Sequence, residues 1–320
     1  MAFVNENEFT FKSSDLLTDI HVHEWIPDCD LNGVVQISHG VNEYVERYSD
    51  FARYLASKGF VVVGNDHLGH GQSVFSPDEL GFFAYNNGWE KVVMDIEKLR
   101  KITAEKHPDI PYFILGHSMG SFLLRTHLIE YPDSGIYGAI ISGTGQQPKA
   151  MITAGRLLSE AVMHREGKKH RSKLVNDTAF GSYNKKFEPK RTYFDWLSRD
   201  ENVVDNYVDD PFCGAKILPT VSLFRDMMGG LSFIQNKENL QKMNTELYAF
   251  FMSGSMDPVG DYGVGVIKSY SSFREAGLKN VSYKLYPEGR HEMLNEINKS
   301  EVYNDILNWL FYVIQEKDGF

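Results

Sequence analysis

Gly116-His117-Ser118-Met119-Gly120 lies between the apolar run Pro111-Tyr112-Phe113-Ile114-Leu115 and the helical pattern Phe122-Leu123-Leu124-Arg125-Thr126-His127-Leu128. The pentapeptide is G-x-S-x-G, and a place between strand and helix is the context in which that spacing carries chemistry. A serine at so sharp a turn takes a strained backbone conformation. Its neighbours two residues away must be small, because strand and helix pass close together. Gly116 and Gly120 meet that need. The turn lifts the hydroxyl above the sheet to a helix N-terminus, where free N–H groups and the helix dipole favour developing negative charge. Ser118 is the candidate nucleophile.

The strand–helix beat continues outward from this turn. Upstream, Phe9 to Lys12 and Ile20 to Trp25 alternate like an antiparallel hairpin, and Gly33 to Ser38 reads as the next strand. Tyr44 to Ser57 has helical spacing that Gly59 stops, and Phe60 to Gly64 is the unbroken apolar run of a strand buried on both faces. Trp89 to Lys106 reads as a helix, and Gly138 to Ser142 as a strand. From 144 to 244 the beat is lost. It resumes with a strand at Leu247 to Met252, a helix at Val266 to Phe273, a strand at Val281 to Tyr286 and a closing helix at Val302 to Ile314. Alternation of this kind predicts a mainly parallel central sheet with helices on both faces. The core is expected at 1–143 and 245–320, with 144–244 as an inserted helical cap. Within that insert, Met227-Met228-Gly229-Gly230 reads as a hinge for a movable lid.

Composition narrows the class. The chain has 320 residues, a net charge of −10 and 42% hydrophobic residues. The acidic balance, with no basic stripe carrying interleaved aromatics, argues against a nucleic-acid partner. The acidic N-terminus has no basic region followed by an apolar stretch, and no segment is apolar enough to span a bilayer, so a cytoplasmic location is expected. Cys29 and Cys213 stand in no metal or redox spacing and read as reduced thiols.

An alcohol needs a base, and the base needs an orienting carboxylate. On a sheet of this kind the chain order is Ser, then Asp or Glu, then His. Asp257 and His291 satisfy it, each in a loop just after a strand; Asp261 is the nearest rival carboxylate. Of the eleven histidines, His39 and His67 precede the acid, His107 and His127 sit on or beside helices, and His164 and His170 fall in the insert. His21 and His23 share one strand face, but no third ligand has an obvious place beside them, and no metal is expected. The oxyanion donors expected are the backbone N–H groups of Met119 and of Val41, in the loop Ser38-His39-Gly40-Val41.

These features resemble the α/β-hydrolase superfamily, and within it the monoacylglycerol lipase and lysophospholipase family. The resemblance rests on five segments: His39-Gly40 with Glu43, Arg47 and Tyr48; Asp66-His67-Leu68-Gly69-His70-Gly71-Gln72-Ser73; the Ser118 turn; Leu197-Ser198-Arg199-Asp200 with Val204-Asp205, Tyr207 and Asp209-Asp210-Pro211; and Gly289-Arg290-His291-Glu292. It implies an α/β-hydrolase fold with a helical cap and a triad of Ser118, Asp257 and His291. It also implies that Glu43 and Arg47 lie near the alcohol end of the substrate, where they either hydrogen-bond a glycerol or pair with each other. Two departures bear on that end. Val41-Asn42-Glu43-Tyr44 replaces the family's small residue, Gly, Glu, His, and Leu294 stands where the mammalian lipases carry a further histidine.

The expected activity is that of a serine carboxylester hydrolase acting on monoacylglycerol or lysophospholipid-type esters through an acyl-enzyme, without cofactor or metal. Its partner is a small-molecule ester, a lipid by preference, with at most transient contact of the cap with a membrane surface. The alternatives are a short-chain or aryl carboxylesterase, a thioesterase, and a non-catalytic ligand receptor on the same fold. The sequence does not specify oligomeric state.

Overall fold

The computed structural model describes residues 3–214 and 216–319. The first two residues of the acidic N-terminus lie outside them, as do Ala215 and Phe320. Strands β1 (Val4–Lys12) and β2 (Asp19–Pro27) form the expected antiparallel hairpin. They are followed by β3 (Gly33–Ser38), α1 (Ser49–Ala56), β4 (Phe60–Asn65), α2 (Gly88–Lys106), β5 (Tyr112–His117), α3 (Met119–Glu130) and β6 (Gly138–Ser142). Helices α4 (Lys149–Glu166), α5 (Lys173–Phe180), α6 (Glu201–Asp209), α7 (Val221–Ile234) and α8 (Lys237–Leu240) occupy the stretch before β7 (Tyr248–Gly254). The chain closes with α9 (Val264–Glu275), β8 (Asn280–Tyr286) and α10 (Lys299–Asp318).

The eight strands form one sheet in the order β1-β2-β4-β3-β5-β6-β7-β8. β3 to β8 are parallel, and the hairpin joins antiparallel through β2 against β4. This is the α/β-hydrolase fold. Because strand side chains alternate, successive residues of the central strands feed opposite cores. Val34, Val61, Ile114 and Phe251 pack under α2, α3 and α9, whereas Val35, Val62, Phe113 and Phe250 pack under α1 and α10. Full burial contributes about 1.5–3 kcal/mol per side chain of this size, which is why an unbroken apolar run is stable only in a strand covered on both faces.

From β3 the chain crosses to β4 on one side and later to β5 on the other. The loops leaving β3 and β5 therefore part at adjacent carboxyl ends, the crevice where ligands bind in open α/β sheets. Among the described residues no helix is long and apolar enough to cross a membrane.

Two local readings are corrected. Tyr44 to Ser57 is not one helix but a 3-10 turn, Val45–Tyr48, leading into α1. The buried Asp66 carboxylate accepts the Val45 N–H at 2.9 Å and holds the start of that turn to the loop after β4. Met227 to Gly230 is not a hinge: it lies inside the continuous helix α7, which packs on α2 and α3. A Cβ on Gly230 would come within 2.3 Å of the Trp89 ring, so this glycine serves close helix packing.

Candidate active site

Ser118 is the hinge between β5 and α3, at φ 52° and ψ −120°. An L-residue there is strained by about 1–3 kcal/mol, and the surroundings must hold it. They do so through the Ser118 N–H, which donates to the Ser142 carbonyl at 3.0 Å, and through Ser121, whose N–H and hydroxyl both donate to the Ser118 carbonyl. The flanking glycines are required by space. A Cβ on Gly116 would lie 2.5 Å from the Gly120 carbonyl oxygen, and one on Gly120 would lie 2.0 Å from that of Ser38.

His291 and Asp257 meet as expected, 34 residues apart in sequence, with His291 Nδ1 2.9 Å from Asp257 Oδ2. Asp257 is fully buried and also accepts from the Ser253 hydroxyl and the Val259 N–H, both at 2.9 Å. Burial alone would raise its pKa; the imidazole and these donors outweigh that and hold it below the ordinary carboxylate value. Burial would likewise lower the pKa of His291, but the carboxylates of Asp257, Glu292 and Glu43 raise it above the usual imidazole value. The His117 ring packs against His291 with centroids 4.6 Å apart; burial, then the charge of its neighbour, lowers its pKa to about 3, so it stays neutral. Ser118 and His291 open on one cavity, with no hydrogen bond between them among the described residues. Such contacts are often long without substrate and tighten in the Michaelis complex.

The loop after β3, the expected oxyanion loop, presses on Ser118. A Cβ on Gly40 would lie 3.1 Å from Ser118 Cβ, and Val41 and Met119 both line the cavity beside the serine. The loop is fixed from behind. The Gly40 N–H and the Tyr48 hydroxyl both donate to Glu43 Oε1. Asp66, whose side chain a Cβ at Gly71 would strike, accepts N–H bonds from Val45 and Gln72. His39, His67 and His70 pack together behind the loop, and burial keeps all three neutral at ordinary pH, with His67 lowered to about 3 and His70 to about 4.

Glu43 and Arg47 pair with each other. Arg47 Nη1 donates to Glu43 Oε2 at 2.8 Å, and the guanidinium also grips both oxygens of Glu292. Tyr207 covers Arg47, its centroid 4.8 Å from the guanidinium carbon, and Arg47 is not among the residues lining the cavity, though Glu43 and Glu292 are. Of the two arrangements expected for Glu43 and Arg47, the structure shows the mutual pairing. Two carboxylates share one cation here. Burial, then the neighbouring Glu292, raises the pKa of Glu43, whereas Arg47 overcomes burial to lower that of Glu292. Leu294 borders a small void of about 10 Å³ between Glu43 and Glu292, at the edge of the size that holds one water.

Glu292 and Trp196 are the residues that sequence reasoning did not assign. The signal for Glu292 was its adjacency to His291. Trp196 lies one residue before the segment Leu197 to Asp200 and places its ring 5.0 Å from the His291 ring. The backbone there is stitched to the histidine loop: the N–H groups of His291 and Glu292 donate to the carbonyls of Trp196 and Leu197. Arg199 and the Arg290 N–H both donate to Glu296, at 2.9 Å. Tyr44, a departure from the family pattern in the loop after β3, donates its hydroxyl to Asp210 at 2.8 Å and so ties that loop to the end of α6.

The cavity above Ser118 has a volume of about 1420 Å³. Its wall includes the apolar Met151, Ile152, Leu158, Phe224, Met227 and Leu231, and polar groups such as Lys173, Asp177, Arg191 and Lys268.

Residues 30–298 match the family described as serine aminopeptidase, S33. A monoacylglycerol lipase of Mycolicibacterium smegmatis is 28% identical over 287 residues, covering 89% of this chain and 90% of its own. The human monoglyceride lipase is 23% identical over 284 residues, covering 86% and 84%. Among solved structures, a thermostable carboxyl esterase from Bacillus coagulans in complex with glycerol superposes with a TM-score of 0.90 at 27% identity, covering 98% of this chain and 99% of that one. A soluble variant of the Saccharomyces cerevisiae monoglyceride lipase does so at 0.74 and 18% identity, covering 98% and 96%, a likeness of fold. The match over residues 30–298, on a sheet of this topology, establishes that the chain belongs to the serine aminopeptidase S33 family of α/β hydrolases and is a serine ester hydrolase.

Proposed function

We propose that this enzyme hydrolyses monoacylglycerols or lysophospholipid-type esters through an acyl-enzyme on Ser118, with 144–244 serving as the cap that houses the acyl chain. The observation that carries the proposal is the cavity of about 1420 Å³ that opens on Ser118 and His291 and includes Met151, Ile152, Leu158, Phe224, Met227 and Leu231 in its wall. Pockets for small ligands usually span about 300–1,000 Å³, so this one suits a long flexible chain better than a short aryl ester. Flexible Met151, Met227 and Met228 on its wall adapt to such a chain. The lipase relatives, and the glycerol in the Bacillus esterase, support the same alcohol class. Exposed Met151, Leu157 and Leu174 on the insert suit brief contact with a lipid surface.

In the proposed mechanism, Ser118 attacks the ester carbonyl as His291 Nε2 accepts its proton, and Asp257 stabilises the imidazolium. The N–H groups of Met119 and Val41 hold the oxyanion, each worth about 3 kcal/mol. His291 then protonates the leaving alcohol and activates water to release the acid.

The family description raises a peptidase reading, and Glu43 and Glu292 at the cavity wall are the carboxylates an amine would seek. Both are already engaged, by Arg47, Gly40, Tyr48 and Asn295, which favours the ester reading.

The test is initial rates on monoacylglycerols of graded chain length, beside matched lysophospholipids, short aryl esters and an aminoacyl anilide, with Ser118→Ala as blank. A rate optimum on medium or long monoacyl chains is expected. Turnover confined to short aryl esters or to the anilide overturns the lipid assignment.

A further inference from the structure

The β1–β2 hairpin carries a cluster that the ester chemistry does not use. Register places Glu8 directly opposite His23 and Thr10 opposite His21, so Glu8 shares a sheet face with both histidines. His21 Nε2 lies 3.2 Å from Glu8 Oε2, and His23 Nδ1 lies 3.5 Å from Glu8 Oε1. The donor atoms of all three residues fall within 4.8 Å of one another. Strand β1 thus supplies the third ligand that the sequence pattern alone did not reveal.

We propose that Glu8, His21 and His23 form a binding site for a divalent transition-metal ion of the zinc type. Ligand bonds of about 2.0–2.1 Å in a tetrahedron put neighbouring donor atoms about 3.3 Å apart. The 3.2 and 3.5 Å separations run to different Glu8 oxygens and the three donor atoms spread over as much as 4.8 Å, so an ion is held once the exposed Glu8 side chain turns one oxygen toward both rings. The donor set, two imidazoles and a carboxylate, suits zinc, nickel or copper rather than calcium or magnesium, which take all-oxygen shells. Three protein ligands leave one position for water.

A second observation comes from the ring of His21. The residue is 8% exposed, and its Nδ1 has no hydrogen-bond partner, yet Asp66 Oδ2 faces it at 4.0 Å. If the neutral ring donates Nε2–H to Glu8, its Nδ1 lone pair faces a buried carboxylate, an unfavourable arrangement. A metal on Nε2 moves the proton to Nδ1 and directs it at Asp66, the carboxylate–histidine–metal arrangement that fixes the tautomer of most ligating histidines. His23 is held by its own packing, its ring stacked 5.7 Å from that of Trp25. Glu8 has a side chain 59% exposed, which leaves a path for the ion. Such an ion clamps edge strand β1 to β2, with β4 and β3 standing between that hairpin and β5.

The experiment uses the full chain without a histidine tag, stripped with a chelator and titrated with zinc ion against a chromophoric competitor, with thermal melting followed in parallel. One equivalent bound at micromolar zinc is expected, with a melting midpoint raised by several degrees. Glu8→Gln and His23→Gln, whose zinc-free melting should match the parent, are each expected to lose affinity tenfold or more. No stoichiometric binding, or binding retained in either variant, overturns the site.

Discussion

Arg47 donates to both carboxylate oxygens of Glu292, at 2.9 and 2.8 Å, across 245 residues of sequence. Glu292 is the neighbour of His291, and Arg47 belongs to the segment that also holds Glu43 behind Gly40. One guanidinium therefore joins the oxyanion loop to the histidine loop. Its planar fork makes the joint rigid in a way that a lysine cannot reproduce.

Removing that cation leaves two buried carboxylates facing each other. Arg47→Leu is expected to destabilise the fold by about 3–5 kcal/mol, the usual cost of breaking a buried pair from one side. Thermal or urea unfolding measures it. A loss below about 1 kcal/mol would place the network in the class of exposed ion pairs.

Ser118→Gly separates strain from chemistry. Glycine adopts φ 52°, ψ −120° freely, so this variant is expected to melt higher than the parent by the strain released, about 1–3 kcal/mol. Its turnover should fall on the order of 10⁶-fold, as should that of Ser118→Ala. Robust turnover by either variant sinks the nucleophile assignment.

The proposed mechanism requires neutral His291, whose pKa is raised in the folded enzyme chiefly by Asp257 acting against burial. Activity should be low at acid pH and rise as pH passes upward through that raised value. Asp257→Asn removes the raising charge and leaves burial to act, so the acid limb should move to lower pH. The rate on its plateau should drop about 10⁴-fold from loss of the correct tautomer. An unmoved acid limb would assign it to another group.

Leu158, on α4, lines the cavity above Ser118. Leu158→Trp should cut kcat/KM on long-chain esters at least tenfold while leaving acetyl esters within twofold, because added bulk excludes chain length without touching the reacting atoms. Equal losses on both would show that this wall does not hold the acyl group.

Gly230→Ala tests the helix packing of α7. The added methyl meets the Trp89 ring, and overpacking of this kind costs about 1–3 kcal/mol in unfolding measurements. A variant with unchanged melting and altered substrate access would return this segment to the role of a hinge.

What the sequence alone determined was everything set by local pattern. The apolar runs at Gly33 to Ser38 and Gly138 to Ser142 are the strands observed, because a strand buried on both faces needs continuous apolar side chains. The Ser118 turn was legible because only glycine fits at 116 and 120, and the order Ser118, Asp257, His291 was legible because each follows a strand. Tertiary structure decided what depends on distant groups meeting. Whether Arg47 faced substrate or Glu292, whether Trp196 lay over His291, and whether Glu8 stood beside His21 and His23 turned on loop convergence and strand register. The Met227–Gly230 stretch shows the limit most directly: a glycine pair reads as flexibility in isolation, and only the indole of Trp89 against Gly230 makes it a packing contact. Local sequence sets conformational preference, but the partner that makes a side chain structural, catalytic or metal-binding is supplied by a part of the chain far away in sequence.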